Sequence, residues 1–458
     1  MNDSNRKLTK EEIEKIGSKV VGKTLGELTD FNGDLDSINN KGSIGEMIEQ
    51  RVFGYKPNND AEPDFFDAGI ELKVTPIKKN KNGTYSAKER LVLNIINYME
   101  EYKNSFENSN FWHKNEHLYL MFYLFEEDVP KDDYRIVKQM LYEYPEEDLL
   151  IIKQDWEYII NKIKNGLAHE ISEADTLYLG ACPKGKNKDS LREQPFSDIK
   201  AMQRAFCLKN SYMTNLVRKM ISNEELENII SADDLSNISF EEVLYEKVKN
   251  YIGKTKEELA NYLGVNLNSK NYVERIFAKM LGVKGNVNDT EEFIKANIVC
   301  KTIRLKANGK IKESMSFPAF KYKEIVKEEW ETSELRSSFA EKKYLFVIFK
   351  EKDGTFIFDG IKLWNMPLYV LDKDVKYVWE RTVEVISTGN IVKSIGKKRY
   401  TNFSGLKENG VAHVRPHGRD STDVFELPVQ DKLTKSSVYT KHCFWLNNKY
   451  IEKIIKNK

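Results

Sequence analysis

Apolar residues recur along this chain at two spacings. Ile44, Met47, Ile48 and Val52 fall on one face of residues 43–53, which predicts an amphipathic helix. Residues 152–165 and 376–388 also read as helices. Residues 69–77, 91–97, 117–125, 343–349 and 355–361 predict strands. The expected class is therefore mixed α/β (α+β), with a helix packed on a mixed sheet in each half of the chain.

The two halves also share landmarks in the same order. Val21-Gly22-Lys23-Thr24 answers Ile252-Gly253-Lys254-Thr255, and a helix ending at Phe53-Gly54 answers one ending at Leu281-Gly282. The stretch 68–73 answers 296–301, and Trp156 precedes Gly166 by the same ten residues as Trp379 precedes Gly389. Pro183-Lys184-Gly185 answers Pro416-His417-Gly418, and Phe206-Cys207-Leu208 answers Phe444-Trp445-Leu446. Six matches in register order argue for two copies of one fold. Residues 221–242 are polar, acidic and poor in aromatics, as a boundary should be. The expected organisation is a domain over 1–222, a linker over 223–242 and a second domain over 243–458.

Composition narrows the function classes. At 458 residues the chain is too long for one ordinary core, and its 40% hydrophobic and 11% aromatic content excludes a disordered chain. Lys+Arg minus Asp+Glu is 72 − 71 = +1, which says nothing for or against nucleic acid, because a basic cleft can sit within a neutral total. The four cysteines form no CxxC, which argues against a zinc ribbon or a disulfide scaffold. No run of 18 apolar residues occurs and the first residues are charged, so neither a membrane span nor a secretory signal is expected. The expectation is a soluble, cytoplasmic protein.

The chemistry concentrates in residues 62–73. Glu71 and Lys73 are two apart, so on a strand they share a face. Asp64 precedes Glu71 by seven residues, with Gly69 available for a bend, so the two carboxylates can converge on one hard cation. Mg²⁺ takes one or two carboxylates and fills its octahedron with water and substrate phosphate oxygen. Lys73 beside them can orient or deprotonate a water, or stabilise charge on the phosphate. That is a site for phosphodiester hydrolysis. Alone, the pattern is loose: glutamate and lysine at this spacing usually form the wet face of a strand.

The surrounding residues sharpen it. Lys41-Gly42-Ser43-Ile44-Gly45-Glu46, Glu49, Pro63-Asp64, Gly69-Ile70-Glu71-Leu72-Lys73 and Pro76 together resemble the MutH-type endonucleases. The segment 88–98 resembles, within them, the GATC-specific type II restriction enzymes of the Sau-three-A kind. The resemblance covers nearly the whole chain. It implies Asp64 and Glu71 as metal ligands for Mg²⁺, Lys73 as the catalytic lysine, Glu49 as a helix glutamate assisting the metal, and Lys114 of the His113-Lys114 pair as a lysine reaching the site. It also implies duplex DNA containing GATC as substrate, cleavage 5′ of the G, and a cognate DNA methyltransferase in the same cell.

The basic loop Cys182-Pro183-Lys184-Gly185-Lys186-Asn187-Lys188 aligns with the family's base-reading Arg-Pro-Lys loop, with Cys182 in place of the arginine. Lys184, Lys186 and Lys209 are the expected DNA contacts of the first copy. Cys207 stands where the methyl-directed nickase of the family has a tyrosine that senses adenine N6, so adenine methylation is not expected to block cutting; a small core residue is the bland alternative. In the second copy Val299 replaces Glu71, Glu292 matches Asp64, Lys301 matches Lys73, and Phe277 or Ala278 matches Glu49. That copy should not cut. Its loop carries Arg415, His417 and Arg419, the expected DNA contacts of a non-cutting effector domain. A symmetric site needs two cuts, so self-association on DNA is expected. The competing classes are a methyl-directed nickase of mismatch repair and a DNA-binding regulator with a relic nuclease motif.

Overall fold

The computed structural model describes residues 8–28, 44–55, 62–185, 189–311, 313–396 and 399–456. By its internal contacts the chain divides into two units: residues 1–240 with 289–297, and residues 241–288 with 298–458.

In the first unit a four-stranded sheet has the order β2-β1-β4-β5, built from β1 (Ile70–Lys79), β2 (Tyr85–Ala87), β4 (His117–Leu124) and β5 (Arg135–Tyr142). β1 and β4 are parallel, and β2 and β5 are antiparallel to their neighbours. A three-stranded sheet, β3-β9-β6, joins β3 (Leu91–Ile95), β9 (Arg204–Leu208) and β6 (Leu179–Pro183), and β7 (Leu191–Gln194) pairs with β8 (Ser197–Met202). The helix Glu146–Lys164 buries Ile152, Trp156, Ile159 and Ile163, a three-to-four-residue stripe, and carries acids in its first turn and lysines in its last, as the helix dipole favours. Its Asp155 accepts from the amides of Leu177, Tyr178 and Leu179 at 2.6, 2.6 and 2.9 Å, which anchors the start of β6.

The core under β1 contains Ile13, Val52, Phe65, Ile70, Leu72, Tyr119, Met121 and Ile136. Residues 289–297 also belong to this unit. Their helix, Glu291–Ala296, buries Lys295, whose Nζ lies 2.8 Å from both Asp148 carboxylate oxygens. Tyr212 donates to the same carboxylate at 2.8 Å, and Phe293 packs against Phe240. A buried ion pair is tolerated only where such extra bonds satisfy it.

In the second unit β10 (Ile298–Leu305), β12 (Lys343–Lys352) and β13 (Thr355–Trp364) form a sheet in that order, with β10 parallel and β13 antiparallel to β12. A sheet β11-β19-β16 joins β11 (Met315–Ala319), β19 (His442–Leu446) and β16 (Ala412–Pro416). The hairpins β14 (Val392–Ile395) with β15 (Arg399–Thr401), and β17 (Val424–Glu426) with β18 (Val438–Thr440), complete it. Its core centres on Tyr344, Phe346, Trp379 and Phe444. The mixed α/β class, with mixed sheets flanked by helices, agrees with the sequence reading.

The two parallel pairs also share their register. Glu71 faces Leu118 and Lys73 faces Leu120 one step and three steps into the first pair; Val299 faces Tyr344 and Lys301 faces Phe346 at the same steps of the second.

Candidate active site

A tight loop closes the seven-residue gap between Asp64 and Glu71. Phe65 bridges Ile70, with its amide donating to the Ile70 carbonyl at 2.9 Å. A single turn, Phe66–Ala68, lies between, and Gly69 closes it at φ +64, a left-handed conformation that a side chain resists. The loop folds Asp64 back onto the strand. Leu72 N donates to Asp64 Oδ2 at 3.0 Å, and Asp64 N donates to Glu71 Oε2 at 3.1 Å.

Glu71 is buried at 3% exposure, and two cations join the Asp64 amide as its partners. Lys73 Nζ lies 2.7 Å from Glu71 Oε1 and donates to the Leu93 carbonyl at 3.3 Å. Lys114 Nζ lies 3.7 Å from Glu71 Oε2 and donates to the Glu62 carbonyl at 3.0 Å. His113 Nε2 is 2.6 Å from Glu62 Oε2, which braces the helix Asn110–Asn115 against the Asp64 loop.

Electrostatics joins Glu49 to the group. The helix Ile44–Ile48 continues as a π-turn, Glu49–Phe53, ended by Gly54 at φ +77. Such turns are frequent at functional sites. Burial, then the nearby Glu71 charge, raises the Glu49 carboxyl above its usual range. Asp64 is pushed up to about 7, first by burial, then by Glu71 and Glu49, while Lys73 and Lys114 pull it down. Negative charge crowded into a dry site is the condition that a bound cation relieves.

The donors are hard oxygens, which suits a divalent cation of the Mg²⁺ type. Among the described residues no group of three or more His, Cys, Asp or Glu forms a metal cluster. Asp64 and Glu71 could supply the one or two carboxylates that a cation of this type takes from a protein.

The expected DNA contacts divide. Lys184 is exposed, with its amide bonded to the Gln203 carbonyl at 2.9 Å. Lys186 lies outside the described residues. Lys209, expected to face DNA, is instead buried: its ammonium donates to the Thr176 carbonyl at 2.5 Å, and burial lowers its pKa against the pull of Asp155. It holds the first unit's interior together.

Cys207 is fully buried beside Cys182. A hydrogen bond with Cys207, opposed by burial, lowers the Cys182 thiol, whereas burial pushes the Cys207 thiol well up. In the second unit the register-equivalent positions hold Arg415 and Trp445. The Arg415 guanidinium lies 4.2 Å from the centre of the Trp445 ring, and His417 meets that ring edge-on at 5.7 Å. His417 and Arg419 are exposed, and Arg419 Nε is 3.5 Å from Asp423 Oδ2.

Sequence reasoning missed three participants: Glu62, the Leu93 carbonyl and Trp445. The first had a signal, its place at the head of the acidic segment. The other two depend on strand pairings that spacing does not reveal.

Comparison with known proteins supplies a family. The family model of the DNA mismatch repair enzyme MutH matches residues 53–155, which contain Asp64, Glu71, Lys73 and Lys114. The chain is 29% identical to the DNA mismatch repair protein MutH of Shewanella woodyi, over 40% of this chain and 79% of that one. It is 26% identical to MutH of Actinobacillus pleuropneumoniae, over 46% of this chain and 95% of that one. It is 39% identical to the type II restriction enzyme Sau3AI of Staphylococcus aureus, over 98% of this chain and 99% of that one. With a MutH-type nuclease segment and an end-to-end match to Sau3AI, the chain belongs to the family of type II restriction enzymes, the site-specific deoxyribonucleases.

Proposed function

We propose that this protein makes Mg²⁺-dependent double-strand breaks in duplex DNA at GATC, 5′ of the G, whether or not the adenine is methylated. Cutting belongs to the domain over residues 1–222. The domain over 243–458, joined by the linker 223–242, is its duplicate and binds DNA without cutting. The observation that carries the reading is the convergence of Asp64 and Glu71 with Lys73 held 2.7 Å from Glu71.

Asp64 and Glu71 would hold the divalent cation, which when bound would supply positive charge for the phosphate oxygens and lower the pKa of the attacking water. The protein's own groups do the rest. Glu71 and the Leu93 carbonyl hold the Lys73 ammonium in one place, aimed at the attacking water or the phosphate. Lys114, tethered by the Glu62 carbonyl, places a second positive charge 3.7 Å from the far oxygen of Glu71, where it can offset negative charge that builds on a bound phosphate. Glu49 assists the cation from the π-turn. Lys184 and Lys186 touch DNA from the first domain, and Arg415, His417 and Arg419 from the second.

Cys207 is too short and too deeply buried to meet an adenine N6 group, which supports indifference to adenine methylation. One complete site cuts one strand at a time, so two chains meet on DNA or one chain cuts twice. The host protects its own GATC sites with a DNA methyltransferase, and the enzyme works in the cytoplasm. Among the described residues no helix is long and apolar enough to cross a membrane.

The test is a plasmid digest with Mg²⁺ on adenine-methylated and unmethylated DNA. Linear fragments with GATC ends from both are expected. Nicked circles from unmethylated DNA alone would move the protein to the repair nickases. Binding without cleavage under any divalent cation would make it a regulator.

A further inference from the structure

β10 repeats the frame of β1 without its acids. Val299 stands at the step of Glu71, and Lys301 keeps the step of Lys73. In the first unit Lys73 rests on Glu71 at 2.7 Å; in the second its counterpart's neighbour on the same face is a valine. Phe277 and Ala278, at the place of Glu49, are buried and apolar. Glu292 lies seven residues before Val299, as Asp64 does before Glu71, but one of its oxygens accepts from the amides of Ile229 and Ile230 at 2.8 Å each. The left-handed residue before the strand is nonetheless kept, Asn297 at φ +54 where Gly69 is at +64, although a helix, Glu291–Ala296, precedes it in place of the single turn Phe66–Ala68.

Beside β10 is a cavity of about 620 Å³. Lys270, Lys301, Arg304 and Lys306 line it, against Glu274, Glu313 and Glu351. Among the described residues none of those four cations is ion-paired. Arg304 lies over the Phe356 ring at 5.9 Å, which steadies the plane of its donors. Each carboxylate lost from the counterpart site removes a repulsion against phosphate, and each cation retained is a site for it.

We infer that this cleft grips the sugar–phosphate backbone of duplex DNA, with Lys301, Arg304 and Lys306 as the phosphate contacts. The proposal rests on the reading that the second unit binds DNA. It makes the relic of a cleavage site into a holding site: Lys301 keeps the strand face of Lys73, while Arg304 and Lys306 reach the same cavity from the other face of β10. Backbone contacts add affinity and register but carry no sequence preference.

The test uses the full chain carrying Glu71→Gln, so that binding is read without cutting, on a duplex with two GATC sites and on a scrambled duplex across a range of salt. Adding Lys301→Ala should weaken binding several-fold and equally on both duplexes. The slope of log K against log salt should become shallower by about one, the mark of a lost phosphate contact. Val299→Glu should reproduce that loss by restoring the missing carboxylate. Val299→Gln, similar in size but uncharged, should stay near the parent, which separates charge from misfolding. Arg415→Ala, run alongside, should lower discrimination between the duplexes by about tenfold or more. If Lys301→Ala and Val299→Glu bind with unchanged affinity and slope while Arg415→Ala is weakened, the cleft proposal is overturned and the DNA-binding reading of the second unit stands. If Arg415→Ala also binds like the parent, that reading fails and the cleft proposal fails with it.

Discussion

β1 and β10 share a pairing register and differ in the side chains they carry. Each starts a parallel pair at the same register, follows a left-handed loop residue, and carries a lysine three residues from its first. The apolar residue that opens each strand matches in kind, buried Ile70 against buried Ile298, while Leu72 answers Cys300 and Thr75 answers Ile303. Yet one side gathers Asp64, Glu71, Lys73 and Lys114, and the other has Val299 for Glu71 and, three residues before the paired strand, Ala340 for Lys114. A fold is held by many interchangeable apolar contacts, whereas its chemistry depends on a few side chains that cannot be averaged. Replacing those few side chains therefore need not disturb the architecture.

The hardest blow to this contrast is Glu71→Gln. It removes one charge and almost no volume, and should lower the cleavage rate roughly 10³-fold or more while DNA binding changes by only a few-fold. Single-turnover cleavage alongside filter binding measures both. Equal losses in the two would mean that Glu71 serves structure or DNA affinity rather than reaction. Lys114→Ala should be milder, costing about 10²-fold in rate, because Lys114 stands 3.7 Å from Glu71 whereas Lys73 is at 2.7 Å. A rate equal to that of the parent would remove Lys114 from the site.

The smallest effect is on stability and depends on pH. Asp64 has a folded pKa raised to about 7 from an ordinary 3.8, so the folded protein holds a proton that the unfolded chain releases between those values. Without metal, stability contributed here is present at low pH and declines as pH rises through that window. Asp64→Asn should therefore gain in Tm relative to the parent as pH goes from about 5 to about 8 in a chelator. Mg²⁺, which binds the deprotonated carboxylate, should raise the parent's Tm more at the upper pH than at the lower, and do little for Asp64→Asn. A Tm difference flat with pH would remove Asp64 from the crowded carboxylate group.

Much of this was legible before any coordinates. The two-residue spacing of Glu71 and Lys73 fixes a shared face once a strand is assumed, and the apolar runs at 69–77 and 117–125 supply the strand and its partner. The bend at Gly69 was legible because so few residues accept that conformation. Lys209 was not. A lysine after an apolar strand looks like a surface charge, and its burial depends on the Thr176 carbonyl and on Asp155, 54 residues back in a different helix. The same holds for Trp445 beneath Arg415: alternation assigns a face to each residue but does not say which distant residue shares it. Glu292 is the sharpest case, since its spacing from Val299 copies that of Asp64 while its carboxylate bonds to residues 229 and 230.

Because residues 289–297 belong to the first unit although their neighbours on both sides belong to the second, no single cut in the gene separates the two. A fragment ending at residue 240 would leave Asp148 and Tyr212 without Lys295, an acid stranded in an apolar interior. A fragment beginning at 241 would carry Phe293 and Lys295 with nowhere to dock. Truncation of this enzyme therefore measures the removal of a splint together with the removal of a domain. Only point substitution in the whole chain can tell those two injuries apart.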